Sequence, residues 1–316
     1  MSQNASGQNA SSQNGTVQYR RARAWQIILT ATSGMVGMSF YFLTGMASYS
    51  ANVGFGIATL AVGGILTFTR VFDAITDPLL AFVYDKVNTR FGKIRILLAA
   101  GWLIMVFAVL EMYNWAAGKG HGVVMYIALY VIYIIGYTLF NMTSQTVGPL
   151  MTNDPKQRPI VGVVGTVFNY LVPITMNLIA FTQLMPKYGG YTLEFLAAAC
   201  WLTIGISAVG LVLTCIGVSE FDKPENFVGV TARKEKLKAK DMLDVLRNNR
   251  PLLCFIASGA SDKIAQQVAS QSIVSTMLFG IIIGDMAIST TLSTIGMIPS
   301  ILFVFVGAAY ARKWGN

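Results

Sequence analysis

Residues 57–84 read IATLAVGGILTFTRVFDAITDPLLAFVY. The stretch is long enough to cross a bilayer, which takes roughly 20 residues of helix. It is almost wholly apolar apart from Arg70, Asp73 and Asp77. A carboxylate at the centre of a membrane helix costs roughly 2.5–3.5 kcal/mol on insertion scales. Such residues persist where they face a cavity and hold something, most often a cation. Asp73 and Asp77 stand at i and i+4, so one helix face carries both. Arg70, three residues before Asp73, joins the same stripe. The pattern implies the ion-coupling element of a transporter.

Working outward, composition fixes the class. Hydrophobic residues make up 54% of the chain and charged residues 12%, against about 25% charged in soluble domains. The charges fall in short clusters between long apolar runs, as in polytopic membrane proteins. Cys200, Cys215 and Cys254 all lie in or beside apolar runs, which implies small apolar packing residues rather than a disulfide framework or a zinc site. The net charge of +9 comes from loops on one side and does not imply nucleic acid.

Eight spans are expected, at 25–46, 57–84, 96–117, 123–150, 160–185, 193–218, 252–283 and 287–310. Lys119 and Lys187 are the basic residues of one set of alternate loops. The other set holds Arg20, Arg21, Arg23, then Lys86 to Arg95, Lys156, Arg158, the run from Lys223 to Arg250, and Arg312 and Lys313. That asymmetry places the N-terminus in the cytoplasm of a multi-pass cell-membrane protein. Residues 1–18, rich in Ser, Gln, Asn and Gly, read as a disordered tail. Residues 219–250 form the one long hydrophilic linker, a solvated segment or a short surface helix against anionic lipid.

A weak repeat crosses that linker. Pro78 within an apolar run, followed by Arg90-Phe91-Gly92-Lys93, is matched by Pro299 followed by Arg312-Lys313-Trp314-Gly315. Two related halves would place these at matching positions. The acidic pair is not repeated, since Thr294 and Ile298 stand at the equivalent places.

The segment from Thr69 to Pro78, with Asp85 and Thr89-Arg90-Phe91-Gly92-Lys93 behind it, resembles the second helix and following loop of the glycoside–pentoside–hexuronide cation symporters. This is the melibiose-permease-like branch of the major facilitator superfamily. Thr152–Arg158 resembles that family's loop between helices four and five, and Asn249-Arg250-Pro251-Leu252 the start of its seventh helix. The resemblance covers about residues 25–316 and implies an all-α integral membrane fold. It also implies a six-helix bundle over 19–218 and, over 251–316, the first two helices of an incomplete second bundle. The matching family residues are Asp73, Asp77, Thr76 and Thr138 as ligands of a coupling cation, Na+ or else H+ or Li+. The family's sugar-contacting acids fall near Gly37 or Met38 and at Asn141, and its helix-five Arg at about Thr166, so the charged sugar clamp is not kept.

Two carboxylates in low dielectric repel one another, and a monovalent cation between them relieves this; hard oxygen ligands suit Na+. A proton serves equally, with the pair titrating as a unit. Arg70, Tyr137, Asn141, Lys263 and Gln267 are the expected lining of the substrate cavity, Tyr137 as a stacking surface for a sugar ring. Asp85, Arg90, Gly92 and Lys93 are the expected gating loop, with Gly92 in a tight turn and Asp85 pairing with a base or capping a neighbouring helix. Glu111 and Glu194 read as interfacial, and His121, in a Gly-rich loop, as structural or solvated. The expected activity is symport of a glycoside or related polar solute across the lipid bilayer by a monomer, with no organic cofactor. The alternatives are a same-fold carrier of an amphipathic cargo, a transport-inactive fragment, and a membrane prenyl or phosphoalcohol transferase. The last needs further acidic groups to bridge a diphosphate through Mg2+, and this chain has only one acidic pair in mid-span.

Overall fold

A computed structural model describes residues 21–87, 89, 92–152, 154, 156–223, 249–269 and 276–284, with scattered positions from 288 to 310. Among these residues all regular structure is helical. The expected tail over 1–18, most of the linker, Arg90 and most of the eighth span lie outside the described residues.

Among the described residues, five helical stretches are long and apolar enough to cross a membrane: Ala24–Gly45, Ile94–Trp115, Gly122–Met151, Arg158–Tyr188 and Leu193–Val218. The helices are α1 (Ala24–Ala31), α2 (Ser33–Gly45), α3 (Thr59–Lys86), α4 (Ile94–Leu110), α5 (Gly122–Met151), α6 (Arg158–Ile179), α7 (Leu193–Val218) and α8 (Arg250–Ala269). α3 has the length, at 28 residues, but interrupts its apolar run with the charges quoted above.

Several boundaries differ from the sequence expectation. α1 and α2 form one span bent at Thr32. The Thr32 hydroxyl lies 2.6 Å from the Leu29 carbonyl, and 3.0 Å from both the Gly210 carbonyl and the Thr214 hydroxyl of α7. A threonine oxygen that engages backbone in this way bends a helix, and here it also ties two helices together. α4 continues into a π-helical turn at Glu111–Trp115, and α6 into another at Ala180–Leu184. Of the span expected over 252–283, the described residues show α8 (Arg250–Ala269) and a π-helical segment Thr276–Ile282.

α5 is the hub. It packs along α4 and against α3, while α2 packs on α6 and α7. Gly101 of α4 and Gly136 of α5 meet backbone to backbone. A Cβ on Gly101 would stand 2.9 Å from the Phe140 amide nitrogen, and one on Gly136 would stand 2.9 Å from the Gly101 carbonyl. Without a hydrophobic drive between helices in lipid, such small-residue contacts supply close van der Waals packing. Tyr126, Tyr130, Tyr133 and Tyr137 run down one stripe of α5, with ring centroids 5.8–6.0 Å apart. Tyr126 donates to the Ala47 carbonyl (2.8 Å), and Tyr133 shares a 2.7 Å hydrogen bond with Thr44. These bonds fix α5 against the end of the first span, and Tyr130, Tyr133 and Tyr137 line a cavity.

Candidate functional site

α3 and α5 build the site between them. The Thr138 hydroxyl of α5 donates to Asp73 Oδ1 at 2.9 Å, and Thr138 also faces Asp77. Asp73 and Asp77, one turn apart on α3, both line a cavity of about 690 Å³ together with Thr138. Thr76 is buried, and its hydroxyl donates to the Asp73 main-chain carbonyl at 3.0 Å within α3. Its proton is therefore engaged along the helix, while its oxygen keeps acceptor capacity. Three of the four expected cation ligands thus meet at one point of the cavity wall, and Thr76 lies behind it. Two carboxylates and a hydroxyl form a hard oxygen set of the kind that suits a small monovalent cation.

The rest of the cavity wall mixes polar and apolar side chains. Tyr137, Asn141 and Lys263 line it. Tyr137 stacks on Tyr133, and Lys263 arrives from α8, outside the first six spans. Gln267 also belongs to α8, and Arg70 to α3; their side chains lie outside the described residues. Sequence reasoning missed Asn169, Gln145, Ser144, Tyr41 and Gly34, which line the same cavity. A scatter of single polar residues in apolar helices carries no local signal until the helices are assembled.

At the end of the molecule that carries the basic loops, the segment after α3 reaches α4 through Gly92, at φ 97°, a left-handed value that only glycine adopts without strain. The Thr89 hydroxyl donates to the Gly92 carbonyl. Lys93 is buried, and its Nζ sits 4.0 Å over the Tyr84 ring, while the Tyr84 hydroxyl donates to Thr146 of α5 at 3.1 Å. Asp85 and Lys86 close α3, with side chains outside the description. A helix-capping carboxylate here is Asp222, just beyond α7. Asp222 Oδ1 accepts from the Lys93 and Ile94 amides (2.8 and 3.0 Å). Its Oδ2 accepts from the Arg95 amide (2.9 Å) and from Arg95 Nε (3.3 Å). The Asp222 side chain is fully buried, so every one of these donors also offsets its desolvation.

A second clamp holds the start of the first span. Arg21 Nε donates to Asp154 Oδ2 at 2.5 Å. Gln157 accepts from the Ala22 amide (2.9 Å) and donates to the Ala22 carbonyl (2.8 Å). Gln26 donates to Glu220 (2.6 Å), which also lies 3.7 Å from Arg23. The Lys156 amide and then the Arg21 guanidinium hold the Asp154 carboxyl below the usual carboxylate range.

The family model described as MFS/sugar transport protein matches residues 27–316. Among curated proteins the chain is 29% identical over 241 residues to the glucuronide carrier protein homolog of Escherichia coli (strain K12), covering 73% of this chain and 50% of that protein. It is 25% identical over 202 residues to the uncharacterized symporter YnaJ of Bacillus subtilis (strain 168), covering 63% and 42%. It is 31% identical over 105 residues to the inner membrane symporter YicJ of Escherichia coli (strain K12), covering 33% and 23%. The chain spans about half the length of the first of these relatives.

Proposed function

The chain belongs to the MFS/sugar transport protein family, and from that premise we propose that it works as a secondary active transporter, not an enzyme, bringing a glycoside or related polar solute across the membrane together with a cation. The observation that carries this reading is the bridge from Thr138 to Asp73, with Asp77 beside it, in the wall of the 690 Å³ cavity. A cation seated there touches both α3 and α5. It therefore acts as a ligand that favours one arrangement of the bundle over another. Coupling free energy is reciprocal, so solute and cation each raise the affinity for the other.

In the proposed arrangement residues 19–218 form one six-helix bundle. The segment 251–316 supplies two helices of a second, for eight spans, and Lys263 brings that second part to the cavity. The N-terminus and the 219–250 linker lie on the cytoplasmic side of the cell membrane, where their Lys and Arg side chains meet the inner leaflet. The protein acts as a monomer. The carboxamides of Asn141, Gln145 and Asn169 on the wall support a hydroxylated solute over an amphipathic one, because each can both donate to and accept from a hydroxyl.

The test is uptake in right-side-out vesicles, with a panel of labelled methyl glycosides under Na+, Li+ and H+ gradients in turn. One gradient is expected to stimulate uptake of at least one glycoside. Asp73→Asn and Asp77→Asn are each expected to abolish that stimulation with normal membrane insertion. Equal stimulation in the wild type and both variants would remove the coupling assignment.

A further inference from the structure

The cavity holds a second polar group that the cation chemistry does not use. Gly34 and Gly37 of α2 both line it, and a spacing of three puts them on one helix face. A carboxamide faces each of them. A Cβ on Gly34 would overlap Asn169 Oδ1 of α6, and a Cβ on Gly37 would stand 4.0 Å from Asn141 Oδ1 of α5. Two amides from two different helices therefore converge on a bare strip of a third. Thr138, Asn141 and Gln145 share a stripe of α5, so this amide pair begins one turn from the cation carboxylates.

A carboxamide offers both a donor and an acceptor, which is what a hydroxyl needs from its site. Two such groups on adjoining walls match neighbouring ring hydroxyls, each of which gives one hydrogen bond and takes another. The glycines are part of the arrangement. Any side chain at 34 would displace the Asn169 amide from α2 and turn it out of the cavity wall.

We propose that Gly34 and Asn169 are specificity-determining residues: the missing side chain at 34 seats the Asn169 amide so that, with Asn141, it reads adjacent hydroxyls of the solute. This rests on the transport reading above. A site built to hydrogen-bond a hydroxyl discriminates against the analogue that lacks it, because its own polar groups are then left unpaired.

The experiment uses the same vesicles and the methyl glycoside that the wild type takes up best, with its monodeoxy analogues. Gly34→Ala and Asn169→Ala are each expected to raise the KM for the glycoside about tenfold, the loss of roughly one hydrogen bond. The half-saturating cation concentration, read at saturating glycoside, is expected to stay within about twofold. Both variants should also narrow the gap between the glycoside and one deoxy analogue. The double variant is expected to match Asn169→Ala alone, since the overlap vanishes with the amide. An additive double variant, or an unchanged KM in Asn169→Ala, overturns the inference while leaving cation-driven uptake in place. Shifts of cation and glycoside dependence together in both single variants also overturn it, because they indicate a packing role. No uptake of any glycoside by the wild type overturns the transport reading itself, and this inference with it.

Discussion

The carboxylate of Asp222 occupies the space that a side chain on Gly92 would fill. The two residues are far apart in the chain, yet together they close the end of α4. Gly92 supplies the left-handed turn and an empty Cβ position, and Asp222 supplies acceptors for three consecutive amides and one guanidinium.

Asp222→Ala is expected to be strongly destabilising. It orphans the first amides of α4 and leaves Arg95 without this carboxylate. Removing one partner from such a buried cluster costs about 3–5 kcal/mol. The melting temperature in detergent should fall, and Gly92→Ala should fall with it, since the new methyl strains the backbone and strikes the carboxylate. An unchanged melting curve for either variant would show that this closure is dispensable.

Thr138→Val keeps the shape of the residue but deletes the hydroxyl that joins α5 to Asp73. A hydrogen bond to a charged group contributes about 1.5–3 kcal/mol. The half-saturating cation concentration should therefore rise by ten-fold or more, with Thr138→Ser restoring most of the affinity. Cation titration of solute uptake is the measurement. A valine variant with wild-type cation dependence would take Thr138 out of the ligand set.

Acidification gives a third expectation. Asp154 is held below its usual range in the folded protein, so it stabilises the fold fully above the unfolded value of about 3.9. That contribution is lost only as pH falls through the lower, folded value. The melting-temperature difference between wild type and Asp154→Asn should be constant from neutral pH down to about 5 and shrink below about 4. A difference that disappears near neutrality would contradict the Arg21 and Lys156 contacts.

Gly101→Ala and Gly136→Ala each place a methyl where the partner backbone already sits. Overpacking of this kind costs about 1–3 kcal/mol. Both variants should insert normally and melt earlier, and the pair should be non-additive because they share one contact. Additive losses would place the two glycines in separate contacts.

The acidic pair was legible in the sequence because its information is local. A four-residue spacing in an apolar helix names the shared face, and Thr138 could be matched to it only through the resemblance. Asp222 was not legible. It caps a helix that begins 128 residues earlier, and no nearby pattern distinguishes it from an ordinary loop acid. The same holds for Asn169 and Gly34, whose meeting depends on how α2 and α6 cross.

The Gly101–Gly136 contact has a mechanical corollary. Where two main chains touch with no side chain between them, neither helix can slide or rotate against the other without collision. α4 and α5 are thus splinted, and the Asp73 and Asp77 carboxylates hang from α3 beside that splint. Any change of access to the cavity must come from swinging this unit whole, with the bending confined to the segments that lead into and out of it.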